Sequence, residues 1–278
     1  MKSDWQLRFD ELIREARNDS RTLYELISQA LCEPDEDAAW ECVSILHRRG
    51  TRETFDAARL LCQSSCAIER TLGTNILGQL GCPDSPFLAE SVAVLLALLQ
   101  AEVEENVLRA ICVALSFLHD LMAIPAIARL HTHPSHLVRY AAVYGLSGHS
   151  DSLAIETLIK LSSDTHELVR DWATFGLGRQ IDDDTPAIRE ALFRRTSDID
   201  SFVRCEALFG LAHRGDERAV EPLIDELNVR APTEIDSLLV KAAEEIADPR
   251  LLGVLERLKH AAGAEGGRFD AAIANCSK

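Results

Sequence analysis

Apolar residues recur along the chain at intervals of three and four residues, the spacing that places them on one face of a helix. Alternation of apolar and polar residues, which would indicate half-buried strands, is almost absent. Helix-capping residues, glycines and prolines interrupt the pattern, as in the turn from Gly81 to Asp84. The pattern predicts an all-α protein made of many short helices.

The helices that this spacing predicts fall into antiparallel pairs joined by short turns. Helix is predicted over residues 4–17, 19–31, 34–50, 51–62, 67–80, 86–100, 106–118, 123–131, 136–148, 153–161, 167–181, 186–194, 202–213, 218–227, 234–247 and 249–262. Residues 1–262 are thus predicted to form a single array of about seven helix pairs with terminal caps, most regular over 123–258. Residues 263–278 contain three glycines, and we expect them to form a frayed, disordered tail.

One short sequence occurs three times in the second half of the chain. Each copy begins with Val-Arg, continues through a small or apolar run and ends in aromatic-Gly-Leu. Its arginines, Arg139, Arg170 and Arg204, stand 31 and 34 residues apart. A period between about 20 and 50 residues is typical of solenoids, in which each unit buries its apolar face against its neighbours.

This repeat resembles those of the HEAT-repeat superfamily. The resemblance rests on the Val-Arg-x-x-Ala-x-x-x-Leu cores around the three arginines and on the run Gly215–Ile224, which looks like a repeat-opening Gly-Asp and Ala-Val-x-Pro-Leu junction. It implies a right-handed α-solenoid of stacked antiparallel helix pairs, the HEAT/armadillo-type superhelix. It specifies function poorly, because the superfamily includes scaffolds, chaperone-like lyases and a few enzymes.

The repeated arginine falls inside the core-facing sector of its helix, so its guanidinium needs a partner. Asp164 and Asp198 stand six residues before Arg170 and Arg204, in the turns between helices. The HEAT resemblance implies that such aspartates and arginines form a ladder of ion pairs between repeats. We therefore predict structural roles for Arg139, Arg170 and Arg204 together with Asp164 and Asp198.

An aromatic residue occupies the position five residues after each repeated arginine, nearly opposite the core sector. The HEAT resemblance implies that the second helix of each pair lines a concave side, where exposed rings would form a binding surface. The alternative is that the rings pack laterally on the next repeat, in the space left by the glycine that follows each one. The predicted binding residues are Tyr140, Tyr144, Asp171, Trp172, Phe175, Arg179, Glu206 and Phe209.

The 278-residue chain has a formal net charge of −16, from 45 acidic and 29 basic residues. This charge repels phosphate backbones and anionic membranes, and it favours a neutral or basic partner. The N-terminal stretch has no apolar signal region, and no apolar run approaches the length of a membrane span. The eight cysteines are scattered among helical positions and are expected to be reduced. We expect a cytoplasmic protein that binds neither nucleic acid nor membranes.

Motifs for catalysis or metal binding are weak. Deoxyhypusine hydroxylase, a HEAT enzyme, binds two irons through repeated His-Glu pairs, whereas only His166-Glu167 is such a pair here. The run His131–His136 lies in an inter-helix turn without matched Cys or carboxylate ligands, so a solvated turn is favoured over a zinc site. No phosphate-binding loop, nucleophile elbow or Cys-x-x-Cys occurs. We predict no catalytic residues, no metal and no cofactor.

The sequence therefore favours a non-catalytic scaffold or adaptor that binds a protein or peptide in the groove of a HEAT solenoid. The alternative is a HEAT-type enzyme or an accessory protein that resembles the chromophore lyases, which share this repeat type. No motif specifies the partner, the pathway or the oligomeric state.

Overall fold

The computed structural model describes residues 4–82, 84 and 86–278, and every regular element in that part of the chain is a helix. The prediction of an all-α fold is confirmed. The chain divides into two compact units, with the boundary between Gly145 and Leu146. Each unit is described by itself, and the prediction that both belong to one continuous array stays a prediction.

The first unit begins with a single helix, after which helices follow one another through short turns. Its helices are α1 (Asp4–Asn18), α2 (Leu23–Cys32), α3 (Glu36–Arg49), α4 (Arg52–Leu61), α5 (Ala67–Gly78), α6 (Leu88–Ala101), α7 (Glu105–Leu118), α8 (Ile124–Ala128) and α9 (His136–Leu146). Short 3-10 segments, Leu121–Ala123 and Arg129–Thr132, flank α8.

The second unit continues the alternation of helix and turn. Its helices are α10 (Ser152–Leu161), α11 (Glu167–Phe175), α12 (Pro186–Arg195), α13 (Ser201–His213), α14 (Val220–Val229), α15 (Ser237–Ile246), α16 (Leu252–Ala262) and α17 (Asp270–Cys276). The 3-10 segments Glu217–Ala219, Pro232–Glu234, Pro249–Leu251 and Gly263–Phe269 lie between them.

Consecutive helices pack as pairs, and the second helices of neighbouring pairs pack side by side. The pairs are α2/α3, α4/α5 and α6/α7 in the first unit, and α10/α11, α12/α13, α14/α15 and α16/α17 in the second. The layer of second helices contains α3, α5 and α7 in the first unit and α11, α13, α15 and α17 in the second. A side chain on an exposed face of this layer therefore has neighbours from the adjacent repeats.

Side-chain caps set several helix starts. Thr22 and Glu25 form a capping box at α2, in which the Thr22 hydroxyl accepts from the Glu25 amide and the Glu25 carboxylate accepts from the Thr22 amide. Asp151 and Asp200 each accept from the backbone amides of the second and third residues of α10 and α13. Each cap of this kind stabilises its helix by about 1 kcal/mol. The capping residues thus fix where the turns between repeats end.

The repeated sequence forms the core. In both of its copies in the second unit the valine, alanine and leucine are fully buried, namely Val169, Ala173, Leu177, Val203, Ala207 and Leu211. The three positions fall on one face of each helix because they are spaced four residues apart. The identical spacing lets successive helices present the same face to their neighbours.

The expectation of a disordered tail at residues 263–278 is wrong. A 3-10 segment and α17 occupy this stretch, and α17 packs on α15 and α16. Phe269, Ala272 and Cys276 are buried and anchor the segment. Gly263 has a φ of 58°, a left-handed conformation that glycine adopts readily, and it ends α16. This glycine therefore breaks one helix from the next and does not mark a disordered end.

Candidate functional site

Arg170 joins two consecutive helix pairs of the second unit. Its Nε and Nη2 donate to the two carboxylate oxygens of Asp198, both at 2.9 Å, and its Nη1 donates to the carbonyl of Asp164 at 3.0 Å. Only 11% of the Arg170 side chain and 5% of the Asp198 side chain are exposed. Burial raises the pKa of Asp198, but hydrogen bonds from Arg170 and from the Asp200 amide outweigh it and hold that pKa below its ordinary value.

Arg204 has a carboxylate partner that the sequence analysis did not identify. Its Nε donates to Glu226 of α14, while its Nη1 donates to the carbonyls of Asp198 at 2.8 Å and Ile199 at 3.0 Å. Asp198 thus offers its carboxylate to Arg170 and its backbone carbonyl to Arg204. The six-residue spacing marks the turn whose carbonyls receive the guanidinium, whereas the carboxylate comes from the next helix pair.

The first unit contains the same arrangement. The Nη1 atom of Arg139 donates to the carbonyls of His133 and Pro134, at 2.8 and 3.1 Å. Arg70, which was not among the predicted ladder residues, donates to the two carboxylate oxygens of Glu102 at 2.7 and 3.0 Å. The sequence marks Arg70 by a weak copy of the repeated signature. An apolar residue, Ile68, stands two positions before the arginine, and Leu77-Gly78 follow it.

A set of aromatic and charged side chains lies where α11 packs against α13, and we name it the aromatic face. The rings of Trp172, Phe175 and Phe209 are half-buried. They are thus neither a fully exposed row nor rings enclosed between repeats, the two alternatives that the sequence left open. The aromatic face consists of Asp171, Trp172, Phe175, Arg179, Glu206, Phe209 and His213.

The guanidinium of Arg179 is within cation–π distance of two of the rings. Its Cζ atom is 5.0 Å from the centroid of the Phe175 ring and 5.5 Å from that of Phe209. Its Nη1 donates to Glu206 Oε1 at 3.4 Å, a contact that links the segment after α11 to α13. Trp172 meets Phe175 edge to face, with centroids 5.5 Å apart and an angle of 70° between the ring planes. These contacts therefore connect five of the predicted binding residues, Trp172, Phe175, Arg179, Glu206 and Phe209, and do not include Asp171.

His213, which was not among the predicted binding residues, extends the aromatic face towards α15. Its ring stacks on Phe209 with centroids 6.0 Å apart and an interplanar angle of 10°. Its Nδ1 lies 3.4 Å from a carboxylate oxygen of Glu245 on α15. The four-residue spacing between Phe209 and His213, which places them on one side of α13, is the signal in the sequence that could have identified this residue.

The backbone changes from α-helix to π-helix at the aromatic face. After Phe175 the helix continues as a π-helical segment, Gly176–Gln180. Such segments are rare and are found frequently at functional sites. Arg214 donates to the carbonyls of Leu177 and Ile181, both at 2.8 Å, and so satisfies carbonyls at the end of this segment. No local sequence signal predicts the arrangement, because Arg214 stands 33 to 37 residues further along the chain.

Two carboxylates of the aromatic face are partly desolvated. Burial, with a smaller effect from the charge of Asp200, raises the pKa of Asp171 to about 6. Burial raises the pKa of Glu206 to about 7; the Arg179 guanidinium opposes this shift, and the charges of Asp171 and Asp236 add to it. Within the described residues, Asp171 has no hydrogen-bond or ion-pair partner and Glu206 Oε2 accepts no hydrogen bond. The arrangement is suited to receive a cation.

Tyr140 and Tyr144 belong to the first unit, where they line an open cavity of about 520 Å³. Tyr140 is half-buried, and 38% of Tyr144 is exposed. A row that joins Tyr144 to the rings of the second unit stays a prediction. The other residues that line the cavity are Ile68, Thr71, Asn75, Asn106, Arg109, Ala110, Val113 and Ala141.

The histidine-rich turn has contacts that suit a turn. The Nδ1 atom of His131 donates to the Ala128 carbonyl at 2.8 Å, and that of His133 accepts from the Ser135 amide at 3.2 Å. Among residues 4–82, 84 and 86–278, no group of three or more His, Cys, Asp or Glu side chains could hold a metal ion. No helix in the same residues is both long enough and apolar enough to span a membrane.

Comparison with known proteins identifies the repeats. A family model described as HEAT repeats matches residues 92–178 and 155–245, more than half of the chain. No curated protein sequence matches the chain. The X-ray structure of YibA from Escherichia coli is similar over 100% of this chain and 98% of its own, with 22% identity and a TM-score of 0.74. At this identity the similarity concerns the fold.

Two further solved structures are more distant. A designed armadillo repeat protein in complex with the peptide (KR)4 has 15% identity and a TM-score of 0.46, over 73% of this chain and 99% of its own. Human deoxyhypusine hydroxylase in complex with glycerol has 17% identity and a TM-score of 0.35, over 98% of each chain. Both superpose too poorly for a ligand or an activity to be transferred. On the match to the family model, the chain belongs to the HEAT-repeat family, and its fold is an all-α solenoid.

Proposed function

We propose that this protein is a non-catalytic scaffold whose aromatic face binds a basic segment of a partner protein. The observation that carries the proposal is the pair of partly buried carboxylates, Asp171 and Glu206, beside three half-buried rings. In the described part of the chain Asp171 has no partner and one oxygen of Glu206 accepts no hydrogen bond. A face with this composition is expected to bind most strongly a ligand that is both cationic and partly apolar.

The raised pKa values of Asp171 and Glu206 indicate how poorly the face solvates negative charge. A lysine or arginine of a partner would supply the missing countercharge. It would also lie against ring faces, and each cation–π contact at a partly exposed site contributes about 0.5–1 kcal/mol. The net charge of −16 adds attraction for a basic segment and repulsion for an acidic one.

A peptide segment fits the face better than a small ion does. The aromatic face spans α11 and α13, and the contact between His213 and Glu245 extends it to α15. An extended segment that crosses these helices would meet carboxylates and rings in turn. We propose the cavity beside Tyr140 and Tyr144 as a separate contact region in the first unit.

The proposal is tested with labelled short peptides of matched length, in which glycine alternates with arginine, lysine or glutamate. The unaltered protein is expected to bind the two basic peptides and not the acidic one. Trp172→Ala and Phe175→Ala are each expected to weaken that binding by about fivefold, because each removes a ring from the face. Fluorescence anisotropy gives the dissociation constants, and Tm is measured for each variant.

Phe193→Ala is the matched control, because Phe193 is a half-buried ring on α12, which contributes no residue to the aromatic face, and it has a comparable cation–π contact, with Arg218 Cζ 4.7 Å from its centroid. It should leave peptide binding unchanged. Equal binding of acidic and basic peptides would contradict the proposal, and a large fall in Tm for Trp172→Ala would show that the ring belongs to the core. Iron, zinc or a pigment in the purified protein would instead support the enzyme or chromophore-lyase alternative.

A further inference from the structure

We infer that Arg179 is an internal occupant of a guanidinium site, and that an arginine of the partner binds by displacing it. The inference rests on the proposed function and adds two points to it. It names the partner's cationic group as guanidinium, and it assigns Arg179 the role of a built-in competitor.

The surroundings of Arg179 have the parts of a guanidinium site. Two ring faces, those of Phe175 and Phe209, lie 5.0 and 5.5 Å from its Cζ atom. Glu206 Oε1 accepts from its Nη1 at 3.4 Å. A planar guanidinium can stack on the rings and direct its edge to a carboxylate at the same time, whereas the compact ammonium of lysine cannot do both.

Arg179 is held loosely in comparison with the other arginines of the repeats. It makes one long hydrogen bond to a side chain, and 39% of its side chain is exposed. Arg170 makes two carboxylate bonds of 2.9 Å and a backbone bond of 3.0 Å, and 11% of it is exposed. The ladder arginines are therefore fixed parts of the fold, while Arg179 can leave at little cost to it.

The negative charge at this site attracts a replacement guanidinium once Arg179 has moved away. With Arg179 in place, Glu206 receives one guanidinium hydrogen bond, at Oε1, its Oε2 accepts no hydrogen bond in the described residues, and the negative charge of Asp171 adds to that of Glu206. Glu206 Oε2 is buried, so an arginine that enters after Arg179 swings out must seat its guanidinium deeper than Arg179 does to bind both oxygens in the bidentate manner that ladder residue Arg170 shows. Glu206 would thus exchange one long hydrogen bond from Arg179 for two shorter ones from the partner's arginine.

The test compares Arg179→Ala and Arg179→Gln with the unaltered protein, using the glycine-arginine and glycine-lysine peptides as probes. Both variants are expected to bind the arginine peptide about five- to tenfold more tightly, because a competing cation–π and ion-pair contact is gone. The lysine peptide should gain less. Arg194→Ala is the matched control: it removes the same charge from the same unit, and Arg194 is 67% exposed on α12, where it pairs with Glu190.

The outcomes separate the inference from the proposed function. Unchanged or weaker binding of the arginine peptide by both Arg179 variants, with the unaltered protein still binding it, overturns the inference and leaves the proposed function standing. An equal gain for the lysine peptide, or an equal gain in Arg194→Ala, overturns the guanidinium site in favour of net charge alone. If no form of the protein binds either basic peptide while circular dichroism shows intact helices, both proposals fail.

Discussion

Gly178 and Gly210 meet backbone to backbone where the π-helical segment after α11 packs against α13. A Cβ atom built on Gly210 would lie 2.7 Å from the Cα atom of Gly178, a distance that real Cβ atoms essentially never show. Arg179 adjoins the first glycine in the chain and Phe209 adjoins the second, so the close approach of the helices is also what brings the guanidinium over the ring.

Gly210→Ala is therefore expected to destabilise the protein by about 1–3 kcal/mol, because the methyl group must push the two backbones apart. Gly253→Ala is the matched control, since a Cβ atom there has nothing within 4 Å and alanine favours the helix by up to about 1 kcal/mol. Urea denaturation followed by circular dichroism measures both. A Gly210→Ala protein as stable as the unaltered one would mean that the helices are not in contact.

Asp198→Asn is expected to cost about 2–4 kcal/mol of unfolding free energy, because it leaves the nearly buried guanidinium of Arg170 without its countercharge. The control is Glu190→Gln on α12, whose carboxylate pairs with Arg194 and Arg218 but is 47% exposed. Exposed pairs contribute little, so this variant should denature close to the unaltered protein. Equal effects of the two substitutions would contradict the structural role of the ladder.

The stability of the protein is expected to depend on pH through Glu206. Its pKa in the folded protein is about 7, against an ordinary value of 4.5, so the folded state takes up a proton more readily than the unfolded state. Its contribution to stability is fully present below pH 4.5 and is lost as the pH rises through about 7. Glu206→Gln removes this loss and should be more stable than the unaltered protein at pH 8 by about 1–2 kcal/mol.

The measurement is the difference in unfolding free energy between Glu206→Gln and the unaltered protein, followed from pH 5 to pH 8. The difference cancels the effect of all other titrating groups to first approximation. Glu90→Gln is the control: hydrogen bonds from Arg52 hold the pKa of Glu90 below its ordinary value, so its difference should not change between pH 5 and pH 8. A flat difference for Glu206→Gln as well would mean that this carboxylate is well solvated.

Phe269→Ala tests the role of the C-terminal segment. Its ring is fully buried beside α17, so its loss is expected to cost about 3–5 kcal/mol. Phe202→Ala, with 65% of the side chain exposed, should cost far less. If Phe269→Ala melted at the temperature of the unaltered protein, residues 263–278 would contribute nothing to folding, as the sequence analysis expected.

The tail shows where sequence analysis weighted one signal too heavily. Three glycines between 263 and 267 suggested disorder, yet Phe269, Ala272 and Cys276 repeat at the spacing of a helix face. Apolar spacing was the more informative signal, because a short segment can dock on α15 and α16, which are already formed. The glycines only determine where the chain turns.

Local sequence signals specify the all-α fold, the position of every α-helix before α17 and the buried face of the repeated signature. These follow from apolar spacing, capping residues and turn residues, which act within a few positions of one another. Three relationships arise from the packing of distant segments: Glu226 receives Arg204, Arg214 satisfies the end of the π-helical segment, and Asp171 and Glu206 are desolvated together. Such relationships depend on distances of a few ångströms between segments that lie 20 to 40 residues apart, and a periodic pattern of buried residues is compatible with many of them.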